Sequence, residues 1–104
     1  MILSTSHTIA GKEIKESLGI VKGNTVRARH IGRDIMAGFR NIIGGEIIDY
    51  TKMLAESREQ SIDRMIQDAE SLKADAIVGI RFVTSSVMQG AAELLVYGTA
   101  VKFK

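Results

Sequence analysis

From Ala74 onward the chain changes to a period of two, and the segment from there to the C-terminus is apolar on both of its faces. Ala76, Val78, Ile80 and Phe82 alternate with Ile77, Gly79, Arg81 and Val83, while Leu95, Tyr97, Thr99, Val101 and Phe103 alternate with Leu94, Val96, Gly98 and Ala100. That period predicts two strands, and Gln89-Gly90-Ala91 supplies the turn between them. One helix layer covers one face of a sheet, so a hairpin that is greasy on both needs a second cover. The cover is the chain's first helix or another copy of the chain, and the second option predicts a homo-oligomer.

The elements before the hairpin are read from the same patterns. Ile2-Leu3-Ser4-Thr5 reads as a short first strand. Residues 14–29 look like β structure, with Ile14, Glu16, Leu18 and Ile20 on one parity and a turn or bulge at Lys22-Gly23-Asn24. In that β stretch Arg27 and Arg29 share one face, and Val26 and Ala28 share the other. Ile31, Ile35, Phe39, Ile42 and Ile43 recur at helical spacing, which predicts a short helix over residues 32–43 stopped by Gly44-Gly45. A second helix over residues 51–73 has Leu54, Ile62, Met65, Ile66, Ala69 and Leu72 on one stripe and Glu56, Glu59, Asp63, Gln67, Asp68 and Glu70 opposite. At about 1.5 Å per residue it spans on the order of 30 Å, long enough to cross a small sheet. The expected class is α+β, one domain over residues 1–104, without repeats or linkers.

Composition narrows the chemistry. The chain has no cysteine, which removes disulfides, thiolate metal sites and a cysteine nucleophile, and suits a cytoplasmic address. No basic region followed by a long apolar run opens the sequence, and no stretch approaches a membrane span, so neither a signal peptide nor a membrane partner is expected. Net charge is only +2, and the basic cluster lacks interleaved aromatics, which argues against nucleic acid. The charge is unevenly placed. Residues 12–40 carry seven basic and three acidic side chains, residues 46–75 eight acidic and four basic. Blocks of opposite sign suit contacts between neighbouring copies.

The residues that could carry chemistry are few. His7 and His30 stand 23 positions apart with no metal-ligand spacing, so a structural role is expected for each, although copies around a symmetry axis could contribute one ligand apiece. No Gly-x-Ser-x-Gly accompanies the serines at Thr84-Ser85-Ser86, and Ile43-Gly44-Gly45-Glu46 fits neither phosphate-loop pattern. Glu56 and Glu59 lie three apart on the long helix, where a solvated face is the simpler reading. The cluster Arg27, Arg29, His30, Arg33 and Arg40 stands out, with Asp34 beside it. It reads either as a site for a phosphate or carboxylate, with Arg33 opening a helix, or as a salt-bridge network to the acidic long helix of a neighbour. An enzyme using Asp34 with His30 or Arg33 lacks an accompanying nucleophile or cofactor motif, so no catalysis is expected.

Arg29-His30-Ile31-Gly32-Arg33-Asp34-Ile35-Met36-Ala37-Gly38, then Arg40-Asn41-Ile42-Ile43-Gly44-Gly45-Glu46, resembles the YbjQ family. So do Glu56-Ser57-Arg58-Glu59 with Met65, Ala74-Asp75-Ala76-Ile77-Val78-Gly79-Ile80-Arg81-Phe82, and Tyr97-Gly98-Thr99-Ala100-Val101. The similarity runs through nearly the whole chain in order. These are small bacterial and archaeal proteins of uncharacterised function that carry a heavy-metal-binding label. The resemblance implies a two-layer, dodecin-subunit-like fold, an antiparallel sheet packed with one long and one short helix, assembled as a homo-oligomeric ring, a pentamer. The metal label comes with no ligand motif that maps onto this chain. The chain has Val83-Thr84 where relatives often have Asp-Thr, which removes a carboxylate, and Lys73 where many have Gly. The ligand-binding set expected from these readings is Arg27, Arg29, His30, Arg33 and Asp34, for a metal ion or a small anion. Gly98-Thr99 within a strand suits close backbone approach or a bulge, as a tight subunit contact could require.

Overall fold

A computed structural model describes residues 1–28, 48–88 and 91–104. The expected short helix over residues 32–43, its Gly44-Gly45 stop and the Gln89-Gly90 part of the hairpin turn lie outside them. The described elements are β1 (Ile2–Leu3), β2 (Ile14–Ala28), α1 (Ile48–Ser71), β3 (Ala76–Met88) and β4 (Ala91–Phe103). The strands form one sheet in the order β1-β3-β4-β2, with α1 laid over β2 and β4 and scarcely reaching β3. The α+β class and the hairpin are as the periodicity predicts.

The sheet is mixed rather than antiparallel. β3 and β2 run antiparallel to β4, but β1 pairs in parallel with β3, Ile2 opposite Ala76 and Leu3 opposite Ile77. The chain beyond β1 stays close: Ile80 N–H donates to Ser4 O and Gly79 N–H to Ser6 O, at 3.1 and 2.9 Å.

β2 is a single strand of 15 residues, with no turn at Lys22-Gly23-Asn24. Its irregularities fall earlier, at register shifts between Ile14 and Glu16 and between Ser17 and Gly19, the latter with Gly19 at φ +117°. They break the expected parity. Ile14 packs on the face away from the helix, Leu18 packs against the helix-side core, and Ile20 is 78% exposed. Gly23 serves the helix instead of a turn. A Cβ there would stand 2.0 Å from Ser61 O and 2.6 Å from Met65 N. The backbones of α1 and β2 touch at this point, and only glycine leaves room.

The β3 alternation also changes phase. Gly79, at φ +64°, sits in a bulge where the chain advances from Val78 to Arg81 while its partner strand advances only from Thr99 to Tyr97. Ile77 and Ile80 therefore both join the helix-side core with Val21, Met65, Ala69, Val96 and Ala100. Ala76, Val78 and Val101 form a second cluster on the opposite face, covered by Ile9, Ile14 and Phe103. Gly98 gives space to Ile77 and Ile80, whose side-chain carbons would lie 2.7 and 3.1 Å from a Cβ at that position. The close approach expected there is thus within the chain.

α1 begins three residues before the expected start and ends two before the expected end, yet its stripe is as predicted, with Met65 and Ala69 fully buried. Glu56, Glu59, Asp63, Asp68 and Glu70 face outward. At its C-terminus Lys73 adopts φ +60° while Ala74 N–H donates to Ala69 O, the closing bond of a Schellman turn that normally takes glycine.

This geometry generates two stability predictions. Gly23→Ala is expected to cost about 3 kcal/mol or more, because helix backbone must move aside. Lys73→Gly relieves a left-handed lysine and is expected to gain about 1 kcal/mol. Urea unfolding monitored by far-UV circular dichroism measures both.

Candidate functional site

The helix–sheet contact becomes polar toward the N-terminal half of α1. Positions 57, 61, 65 and 69 fall four apart on one face, and the first two are serines buried as deeply as the Met65 and Ala69 that continue the row. Ser61 Oγ lies 3.1 Å from Thr25 Oγ1 and donates to Leu94 O at 3.3 Å. Arg27 Nε donates to Ser57 Oγ at 2.8 Å, and Arg27 Nη2 donates to Gln60 Oε1 at 2.8 Å. Among the described residues no buried side-chain oxygen or nitrogen lacks a partner. A stripe counted in apolar residues does not reveal such hydroxyls, although their four-residue spacing from Met65 and Ala69 would have.

Arg27 turns toward the helix, and its neighbour Val26 points to the other face, 58% exposed. The alternation predicted for this pair holds, but the guanidinium is the inward group. It is held by neutral partners of its own chain rather than by a carboxylate. Arg29, His30, Arg33 and Asp34, the rest of the expected binding set, lie outside the described residues, as does Arg40.

Arg27 borders two depressions. One, of about 360 Å³, opens between the N-terminal half of α1 and the tip half of the hairpin, with Met53, Leu54, Ala92 and Leu94 among its walls and Arg58 and Glu93 at its margin. The other, of about 510 Å³, is a shallow groove along the outer side of α1, bordered by Lys52, Glu56, Glu59 and Asp63. Glu56 and Glu59 are exposed there, the solvated face expected of them.

Metal chemistry finds no support in this arrangement. Among the described residues no three His, Asp or Glu side chains are grouped to hold an ion. Several acids already have partners. Asp68 accepts from the Lys22 N–H, Asp75 from the Phe103 N–H, Glu93 from Asn24 Nδ2, and Glu13 pairs with Lys104. His7 lies against Gly79, its Nδ1 3.3 Å from where a Cβ would stand, so it packs on the bulge. The described residues do not fit a heavy-metal ion. Removing one hydroxyl from the buried seam tests its strength. Ser61→Ala takes a partner from Thr25 Oγ1 and from Leu94 O, and is expected to cost about 1–2 kcal/mol in thermal unfolding.

Comparison with known proteins agrees with the resemblance. A family model described as "Putative heavy-metal-binding", that of the YbjQ family, matches residues 1–104. A UPF0145 protein of Methanosarcina acetivorans is 58% identical over 102 residues, 98% of this chain and 96% of its own length. Another from Pseudothermotoga lettingae is 61% identical over 104 residues, all of this chain and 98% of its own. The fold is shared with a crystal structure of a protein of unknown function in the DUF74 family from Pediococcus pentosaceus. That match has a TM-score of 0.67 and 17% identity, over 100% of this chain and 98% of the other. The chain belongs to the YbjQ family, the UPF0145 proteins.

Proposed function

We propose that this protein is the subunit of a homo-oligomeric binding or scaffold protein with no catalysis of its own. The observation that carries the reading is an apolar strip on the sheet face away from α1. Register places Ile20 opposite Thr99, Lys22 opposite Tyr97 and Arg81, Asn24 opposite Leu95 and Val83, and Val26 opposite Glu93. Ile20 is 78% exposed, Val26 58%, Val83 40% and Tyr97 37%. The segment bearing Ile9 and Ile14 covers only the base of this face. A second copy is the natural cover for the remainder, since contiguous exposed apolar surface marks an interaction site.

Closure into a pentameric, dodecin-like ring rests on the family resemblance. The opposite-sign charge blocks before and within α1 support contacts between copies. A cytoplasmic setting suits a chain without cysteine, and among the described residues no helix is long and apolar enough to cross a membrane. Nucleic acid is not its partner on this reading. A second reading, a divalent or heavy-metal ion or small anion held at subunit interfaces through His30, Arg33 or Asp34, draws on the family's description.

Sedimentation velocity at micromolar protein is expected to give a species five times the 11.3 kDa protomer mass. Ile20→Asp, at an exposed position, is expected to yield folded monomer. A wild-type monomer refutes the assembly. Calorimetric titration with divalent metals that gives no heat removes the second reading.

A further inference from the structure

We propose that the cleft between α1 and the tip half of the β3–β4 hairpin binds a small amphipathic anion, an apolar body ending in a carboxylate or sulfonate. The cleft arises where the polar seam ends. From Ala69 back to Ser57 the helix is drawn onto the sheet by Gly23, Thr25 and the buried core. Beyond Ser57 no such contact is made among the described residues, and Met53 and Leu54 face Ala92 and Leu94 across a gap of about 360 Å³. That size suits a ring-containing small molecule, and apolar walls with few polar groups are the usual composition of such sites.

The charges select the ligand's sign. Arg27 is fixed by its bonds to Ser57 and Gln60, which use two of its five N–H donors. A guanidinium already immobilised loses little freedom when it meets a ligand. Arg58 makes no hydrogen bond or ion pair with any other described residue, so its fork is available at the margin. Glu93, the one acid among the described residues at the cleft margin, pairs in register with Val26 on the far face and there accepts from Asn24 Nδ2 at 3.1 Å. Two cations against one engaged carboxylate favour an anion over a neutral or cationic molecule of the same shape. Every lining group named comes from one protomer, and all but Glu93, the register partner of Val26, stand on the sheet face opposite the exposed strip, so the site does not depend on self-association.

The test uses naphthalene-2-carboxylate and its neutral isostere naphthalene-2-carboxamide, titrated by calorimetry into the full chain, with sedimentation run on the same samples. The carboxylate is expected to bind at least about fivefold tighter than the amide, the scale of one partly exposed charge pair. Arg58→Ala is expected to bring the two within about twofold while leaving the amide unchanged. Arg58→Glu is expected to reverse the order, and Ala92→Phe, which fills the gap, to abolish both. Because Arg58 is exposed, its variants keep the test decisive should Ala92→Phe fail to fold. Equal binding of acid and amide, no binding of either at millimolar concentration, or a preference undiminished by Arg58→Ala overturns the proposal. So does affinity that falls as protein concentration rises, which would put a second copy in the cleft. A monomer that binds the carboxylate sinks only the assembly, and an oligomer that does not bind it sinks only this site.

Discussion

The contact between α1 and β2 at Gly23 sets the spacing on which the rest of the molecule depends. A strand with a side chain there would hold the helix off by the radius of a methyl group, and the hydroxyl bonds of Ser57 and Ser61 would be out of reach. With the Cβ absent, helix backbone meets strand backbone, and the residues beside the contact must be small and self-satisfying. Serine meets both demands because each hydroxyl finds a partner at 3.3 Å or less on Thr25, Leu94 or Arg27. A buried hydroxyl without a partner would cost about 1–3 kcal/mol, so the seam is tolerable only when complete.

The same placement of the helix leaves other surface uncovered. α1 runs along β2, whose free edge it also guards: Asp68 accepts from the Lys22 N–H, and Arg64 donates to Asn24 O. Such capping blocks pairing along that part of the edge. A helix is about 10 Å wide and cannot also shield β3. Phe82, on the helix side of the sheet, is accordingly 47% exposed. On the far face the segment after β1 closes the base of the hairpin and stops there.

Long-period features are legible in the chain, and local breaks of phase are not. The outward acids and inward Met65 and Ala69 of α1 come from a 3.6-residue repeat, and the faces of β4 from strict alternation, because neither element contains a bulge. β2 and β3 do. Gly19 and Gly79 each insert a residue at positive φ, and every later side chain changes face. A glycine in a strand signals that something unusual happens, but the pattern does not say whether it is a turn, a bulge or a close approach. Gly23, expected to form a turn or bulge, touches a helix. Gly98, expected to mark a close backbone approach or a bulge, makes room for Ile77 and Ile80. Of the expected binding set only Arg27 falls among the described residues, and its inward direction cannot be read from alternation alone, since either face of the strand could be the covered one.

Arg27 joins the fold to the cleft. It lies at the end of β2 nearest the hairpin tip, opposite Ala92, just where the seam of hydroxyls runs out. Its Nε and Nη2 complete the hydrogen bonding of Ser57 and Gln60, so the interactions that hold helix to strand also fix the position of a positive charge at the mouth of an apolar gap. A guanidinium placed this way has its stem packed and its planar head oriented before any ligand arrives. The strip formed by Ile20, Val26, Val83 and Tyr97 lies on the opposite side of the sheet. One side can therefore meet another copy while the other keeps its cleft open, because strand alternation assigns neighbouring residues such as Val26 and Arg27 to separate tasks.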